Sequence, residues 1–337
     1  METDALTRLP VDRLFETASS RLTIESFARS GPNLLRLCFA RKSLADSFLP
    51  SFLPAKAGVA DLQIAFLTST DVDLSELIPQ SPNAHNAISF DDWFVAWDPG
   101  DQPVLYILDR KSKRALVWFG AGTPPDWIAA RPALPIMSAI SVDSPWIALH
   151  AAAIGRNGRM LLLAGDGHTG KTTAALSCAR AGWDYAGDDF IYANATNAKV
   201  EPLYCSARLR ADMAPAFTDF LVGPTRTSNS DGELRYELSL DGKIGREHLR
   251  GGSMAAILLP RRRGAILPEF SPARRFDAFA ALKTSMALSM LMLPLSWRKG
   301  AIKKVAMVIE LAPVFFVDTG RDIAAIPQAF AEFLDRL

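Results

Sequence analysis

The sequence has little cysteine. Its 337 residues hold only Cys38, Cys178 and Cys205, far apart and without C-x-x-C spacing. That argues against a disulfide framework and for reduced, buried thiols in a cytoplasmic protein. An excess of either charge is missing too: 37 basic residues face 36 acidic ones, so electrostatics gives no case for nucleic acid or an anionic membrane as partner. Nor is there a long apolar run. The longest candidate, Thr284 to Pro294, is far short of the ~18 residues of a membrane span and reads as a buried helix. The first residues, METDALTRLPVDRLFE, carry no apolar signal core. Internal repeats and low-complexity segments are also absent.

What the chain does have is a hydrophobic content of 49% and enough length for two α/β domains. Residues 1–130 read as the first. Leu34 to Ala40 and Asp61 to Leu67 have strand composition, and Trp93 to Trp97, Val104 to Leu108 and Arg114 to Phe119 form a run of strands broken by Asp-Pro-Gly and Asp-Arg-Lys turns. Trp93, Trp97, Trp118 and Trp127 read as core, with a recognition surface as the alternative. His85, in a polar loop, reads as solvated. The proline-rich stretch Gly122 to Pro135 marks the boundary, and residues 131–337 form the second domain.

Its centre is Met160 to Tyr192, MLLLAGDGHTGKTTAALSCARAGWDYAGDDFIY. The G-x-x-x-x-G-K-[ST] pattern arises by chance in about one chain in a hundred of this length, so its flanks carry the reading. Met160 to Ala164 is a buried-strand run, and Thr172 to Ala181 a small-residue helix. Between them Gly165, Asp166, Gly167, His168, Thr169, Gly170, Lys171, Thr172 and Thr173 make a phosphate-binding loop. Glycines let backbone N–H groups approach an anion at the positive end of a helix. Lys171 supplies charge for the β- and γ-phosphates of ATP, and Thr172 a hydroxyl for Mg²⁺. Asp166 and His168 are unexpected beside an anion: Asp166 either points away from the phosphates or weakens nucleotide binding.

A strand from Trp183 to Ala186 ends in Gly187-Asp188-Asp189. Phosphoryl transfer needs a carboxylate for the metal and one for the acceptor's proton. Adjacent strand residues face opposite ways unless the chain turns, which Gly187 allows. The alternative is two acids capping a turn. Ahead of the loop, Trp146 to Ile154 reads as one strand of a hairpin through Gly155-Arg-Asn-Gly158, and it places His150 in the sheet that carries the loop.

These three segments, LHAAAI, GDGHTGKTT and GDDF, together resemble the catalytic domain of HPr kinase/phosphorylase and of shorter HPr kinase-like proteins, over roughly residues 135–325. The resemblance implies a P-loop domain related to the phosphoenolpyruvate carboxykinase fold. It implies that Asp188 is the acid/base toward a seryl or threonyl hydroxyl, with His150 as its hydrogen-bonding partner. Asp189 and Thr172 would hold Mg²⁺, and Lys171 and the loop amides the phosphates of ATP. A homo-oligomer also follows from the resemblance. The family's glutamate-isoleucine-arginine-glycine signature is replaced here by Cys205-Ser-Ala-Arg208-Leu-Arg210-Ala-Asp212. That departure turns the expectation from HPr toward a peptide or protein acceptor, such as a lasso-type precursor peptide, which the first domain would select. Either Arg208 or Arg210 meets phosphate or lies on the surface. The alternatives are a small-molecule kinase and a nucleotide-gated binding protein without turnover.

Downstream, Gly223 to Asp241 reads as a polar loop entering a strand, with Arg235 and Lys243 either reaching phosphate or solvated. His248 shows no partner. Met254 to Leu259 is a strand ending in Arg261-Arg262-Arg263. Pro272 to Leu293 reads as helical, with Met286, Met290 and Met292 as core filler. Ile302 to Leu311 reads as a helix, Val314 to Asp318 as a strand, and Ile326 to Leu337 as a closing amphipathic helix.

Overall fold

In the computed structural model, residues 11–77, 86–222, 226–230 and 233–337 are described; His85 lies outside them. The chain is mixed α/β and divides into two units, Met1–Ile140 with Leu288–Arg298, and Ser141–Ala287 with Lys299–Leu337. The division therefore falls ten residues beyond the one read from the proline-rich stretch, and a C-terminal segment joins the first unit. Trp297, from that segment, stacks on Phe94 at 5.5 Å and lies under Arg110.

Among the described residues, the first unit carries an eight-stranded mixed sheet in the order 53–54, 24–30, 33–39, 62–68, 114–119, 104–109, 93–98, 87–90. Every strand expected there is present. Ile24–Ser30 and Ala87–Phe90 are additional, because IESFARS and AISF are short of the β-branched pattern that marks a strand. Val104–Asp109 is buried along its whole length, as a central strand covered on both faces must be. Helix Val11–Ser19 covers one face over Trp97, Trp118, Leu105 and Ile107. Phe39, Phe48, Phe66 and Phe119 stack in a second cluster, with centroids 5.0–5.4 Å apart. Trp97 and Trp118 are thus core residues, and the Trp118 indole donates to the Val72 carbonyl at 2.7 Å. Trp93 is half-buried against the same core.

The second unit has a nine-stranded sheet and a separate three-stranded one among the described residues. The main path runs 184–187, 152–156, 159–163, 252–261, 199–202, 191–194, 146–149, and Val314–Asp318 pairs in parallel with Gly252–Arg261 and antiparallel with Glu269–Pro272. Arg159–Leu163 sits inside the sheet, parallel to Gly252–Arg261. Its residues Met160 to Leu163 are fully buried, and the loop that follows is therefore held at its root.

Four readings of this half are corrected. Trp146 to Ile154 is two strands, not one: Trp146–Leu149 pairs with Ile191–Asn194, and Ala152–Arg156 with Arg159–Leu163 and Asp184–Gly187. The chain changes partners at His150 and Ala151, and the Ala151 N–H closes a tight turn onto the Leu149 carbonyl. In the stretch read as a loop entering a strand, Arg226–Ser230 is itself a strand, antiparallel to the strand Glu233–Ser239, which pairs with Ser206–Arg210. Pro272 ends a strand, and the helix begins at Arg275 and runs to Ser285. The helix expected from Ile302 starts at Leu295, directly after Pro294, a residue that suits a helix entry. Cys38, Cys178 and Cys205 are all buried free thiols.

Candidate active site

The glycine loop leaves strand Arg159–Leu163 at Ala164 and enters helix Lys171–Arg180. Gly170 is the cap of that helix, at φ 104°, a conformation that side chains rarely take. His168, at φ 66°, shares the left-handed region without glycine's freedom. Asp166, Gly167 and His168 form an exposed tip. The Asp166 side chain is in solvent, while its backbone carbonyl turns inward. His168 reaches Glu233 at 3.5 Å on the neighbouring hairpin.

Lys171 is only 7% exposed, and its ammonium donates to the carbonyls of Gly165 and Asp166 at 2.7 and 2.9 Å. Burial lowers its pKa, and the nearby charges of Asp189, Asp188 and Asp166 oppose that fall. The loop is thus wrapped around its own lysine.

Strand Asp184–Gly187 delivers the two acids. Gly187 stands at φ 146°, and a side chain there would lie 2.8 Å from Ile191 and 2.9 Å from the Phe190 carbonyl. The turn it makes sends the carboxylates to different neighbours. Asp188 is 3% exposed and accepts a hydrogen bond from the Arg208 backbone N–H at 3.2 Å, and the nearby Thr172 side chain favours its charged form. Its Oδ1 is buried and has no hydrogen-bond partner. Burial, and then the charge of Asp189, push its pKa up to about 6.

Asp189 Oδ1 lies 2.9 Å from His150 Nε2, and its other oxygen 3.8 Å from Arg208 Nη1. The imidazole is fixed from two more sides: Nδ1 is 2.8 Å from the Ser285 carbonyl, and the ring stacks on Phe190 at 5.0 Å. A carbonyl only accepts, so in the Ser285 contact Nδ1 is the donor, and Nε2 is the ring atom turned toward Asp189.

The resemblance implied His150 beside Asp188; in the structure the imidazole contacts Asp189, and the Thr172 side chain influences Asp188. Local sequence shows that two acids follow a strand; it does not show which one turns to which neighbour.

Arg208 joins the site and Arg210 does not. The Arg208 guanidinium is buried between Asp189 and Glu237, with Nε donating to Glu237 at 3.1 Å. Burial works against its charge, but Asp189 and Glu237 outweigh it and raise its pKa. Arg210 is spent on a two-pronged pair with exposed Asp212. Arg235 pairs with Glu233 at 3.1 Å and contributes positive potential at Lys171. Lys243 donates to the carbonyls of Phe220 and Val222, a structural latch. His248 has a neighbour after all, Asp184 at 3.5 Å. Ser285 and Glu237 were not visible from sequence: one acts through its backbone, and the other is an ordinary alternating strand residue until Arg208 is seen opposite it.

A divalent cation of the Mg²⁺ type has a fitting place at Asp188. A buried carboxylate oxygen without a partner lies near the Thr172 side chain, and hard oxygen donors are what this ion takes. Among the described residues no three His, Cys, Asp or Glu side chains form a metal cage. No known family model matches the chain, and no curated protein matches it in sequence. No helix among the described residues is long and apolar enough to cross a membrane.

Proposed function

We propose that this protein is an ATP-dependent, Mg²⁺-requiring kinase of HPr kinase-like, P-loop type, acting on a seryl or threonyl hydroxyl of a peptide or protein. The observation that carries the reading is the division of labour between two adjacent carboxylates beside a buried lysine. Asp188 is closed to solvent, held by the Arg208 N–H and near Thr172, whereas Asp189 is more open and in contact with His150. A metal ligand and a proton acceptor require these two environments.

In this reading Thr172 and Asp188 hold the ion, which neutralises charge on the phosphates when bound. Lys171 exchanges its two loop carbonyls for β- and γ-phosphate oxygens. Arg208 holds Asp189 in place and adds positive charge where the transferred group carries negative charge. The acceptor oxygen attacks the γ-phosphorus and forms the new P–O bond. The bond to the β–γ bridging oxygen breaks, and its electron pair leaves with ADP. The hydroxyl proton passes to the ionised Asp189, with His150 Nε2 at 2.9 Å to orient that carboxylate. Peptide as the acceptor class rests on the resemblance to peptide-tailoring relatives.

The test is mass spectrometry of candidate acceptors, above all a peptide encoded beside the gene, after incubation with ATP and Mg²⁺. A gain of ~80 Da, one phosphoryl group, is expected with wild type and not with Asp189→Asn. Equal modification by both proteins removes Asp189 from the chemistry. Nucleotide binding with no modification of any peptide removes the peptide-kinase reading.

A further inference from the structure

Three neighbouring strands of the second unit, Arg159–Leu163, Gly252–Arg261 and Val314–Asp318, run parallel and so end on the same side of the sheet. The first feeds the glycine loop. The loops after the other two, residues 262–268 and 319–322, therefore stand beside it. Contact is close: a side-chain carbon at Gly170 would lie 3.1 Å from the Thr319 hydroxyl, and one at Gly165 3.8 Å from the Pro260 ring.

These two loops carry Arg262, Arg263 and Arg321, all exposed. Elsewhere in the unit Arg180, Arg210, Arg246, Arg250, Arg274 and Arg275 each face a carboxylate. Among the described residues no carboxylate pairs with Arg262, Arg263 or Arg321. The acids near them are engaged: Asp212, within the field of Arg262, is held in a two-pronged pair by Arg210. Asp318, near Arg263, accepts from the backbone N–H groups of Arg263 at 2.8 Å, Gly320 at 3.2 Å and Ala265 at 3.3 Å. Beside the arginines, Ile266 is 73% and Leu267 56% exposed. We infer that these loops are a docking surface for the acceptor, and that the acceptor is a peptide segment with carboxylates next to an aliphatic side chain. The inference rests on the kinase reading and names the chemistry of its acceptor; it places acceptor recognition on the unit that carries the glycine loop.

The surface is held ready. Besides the three bonds to Asp318, the Arg321 N–H bonds to the carbonyls of Ala265 and Ile266, and the Asp322 N–H to that of Ile266. The backbone is thus fixed from inside while the Ile266, Leu267 and arginine side chains face outward, so little order is lost when a partner docks. Planar guanidinium groups match carboxylates in two-pronged pairs. Charge also speaks against a second copy of the chain: a symmetric pairing of this face would set the unpaired arginines of one copy against those of the other.

Fluorescence anisotropy with two labelled synthetic peptides tests this: one serine peptide with glutamates and a leucine, and its twin with every glutamate replaced by glutamine. Wild type should bind the acidic peptide at least about tenfold more tightly than the neutral one. That advantage should shrink between about 0.1 and 1 M salt, as the screening length falls from about 10 to 3 Å. Arg262→Gln combined with Arg263→Gln keeps the backbone N–H that Asp318 holds; it should lose the advantage and keep the ATP affinity of wild type in calorimetry with Mg²⁺. Replacing the peptide's leucine by serine should weaken binding to wild type and leave binding to Ile266→Ser unchanged. Equal affinity of wild type for the two peptides, or an advantage that survives in the double variant, overturns the docking surface and leaves the kinase reading standing. Loss of ATP affinity in the double variant gives the arginines to the nucleotide and overturns it too. So does a wild-type oligomer that dissociates in sedimentation when Ile266 becomes serine, which gives the face to a second copy. If wild type binds no ATP, the kinase reading falls, and with it the acceptor role of a surface that still prefers the acidic peptide.

Discussion

Asp188→Asn should make the ligand-free protein more stable at neutral pH while it damages the proposed metal site. The buried carboxyl ionises with a pKa of about 6 instead of an ordinary 3.8, because burial and Asp189 both disfavour its charge. At 1.36 kcal/mol per pH unit, holding it ionised in the folded state costs about 3 kcal/mol. The sign follows from linkage: a carboxyl whose folded pKa is raised favours the folded state most when protonated, below the unfolded value of 3.8. That advantage is lost as pH rises through about 6. Asparagine keeps an acceptor for the Arg208 N–H and has no charge to bury. The gain in stability over wild type should therefore be near zero at pH 4, grow between pH 4 and 6, and level off above pH 7. At about 2–4 °C per kcal/mol for a unit of this size, the plateau corresponds to a rise in melting temperature of about 6–12 °C. Thermal melts of both proteins across that pH range, without nucleotide or divalent ion, measure it. Saturating Mg²⁺ and ATP should reverse the order, since only wild type gains the ligand's stabilisation. A variant less stable than wild type at pH 7.5 without ligand, or a difference that does not depend on pH, would refute the claim that the Asp188 charge is strained by burial.

Other outcomes follow from the same geometry. Asp189→Asn should lower kcat by about 10²–10⁴-fold with nucleotide affinity kept, and His150→Ala should slow the same step by less, because the histidine acts through the aspartate; steady-state kinetics beside nucleotide titrations separates the two. Arg208→Met should destabilise the second unit by about 3–5 kcal/mol, as it leaves the buried Glu237 without its cation and takes a positive neighbour from Asp189. Adding Glu237→Gln should restore part of that loss in urea melts. Gly170→Ala should cost about 1–2 kcal/mol for its left-handed backbone, plus the crowding of Thr319, and should weaken tripolyphosphate binding in calorimetry.

Much of the fold was legible because its signals are local. Apolar runs such as LQIAFLT and RMLLL become strands through their side-chain composition alone. The glycine loop announces itself because only glycine suits positions such as Gly170, and the small-residue run after it makes a helix whatever its surroundings. The methionine reading holds at Met286, which is buried. Where the reading failed, a long-range choice had overridden a local pattern. WIALHAAAI has the composition of one strand, yet His150 and Ala151 are where the chain leaves one sheet neighbour for another, a decision made by Ile191–Asn194 and Arg159–Leu163. The polar hairpin Arg226–Ser230 with Glu233–Ser239 exists because Ser206–Arg210 offers an edge to pair with.

The sequence by itself determined that a lysine, a threonine, two acids and a histidine belong to one sheet, since each is tied to a strand end or a loop a few residues long. Only the tertiary structure decided how they are shared out. The backbone turn at Gly187, and an amide from Arg208 twenty residues later in the chain, fix the buried Asp188 carboxylate. The carbonyl of Ser285, 135 residues beyond His150, aims the imidazole at Asp189. Adjacent residues differ in environment when distant chain segments supply their partners, and hydrogen-bond partners and burial set the chemistry of a carboxylate.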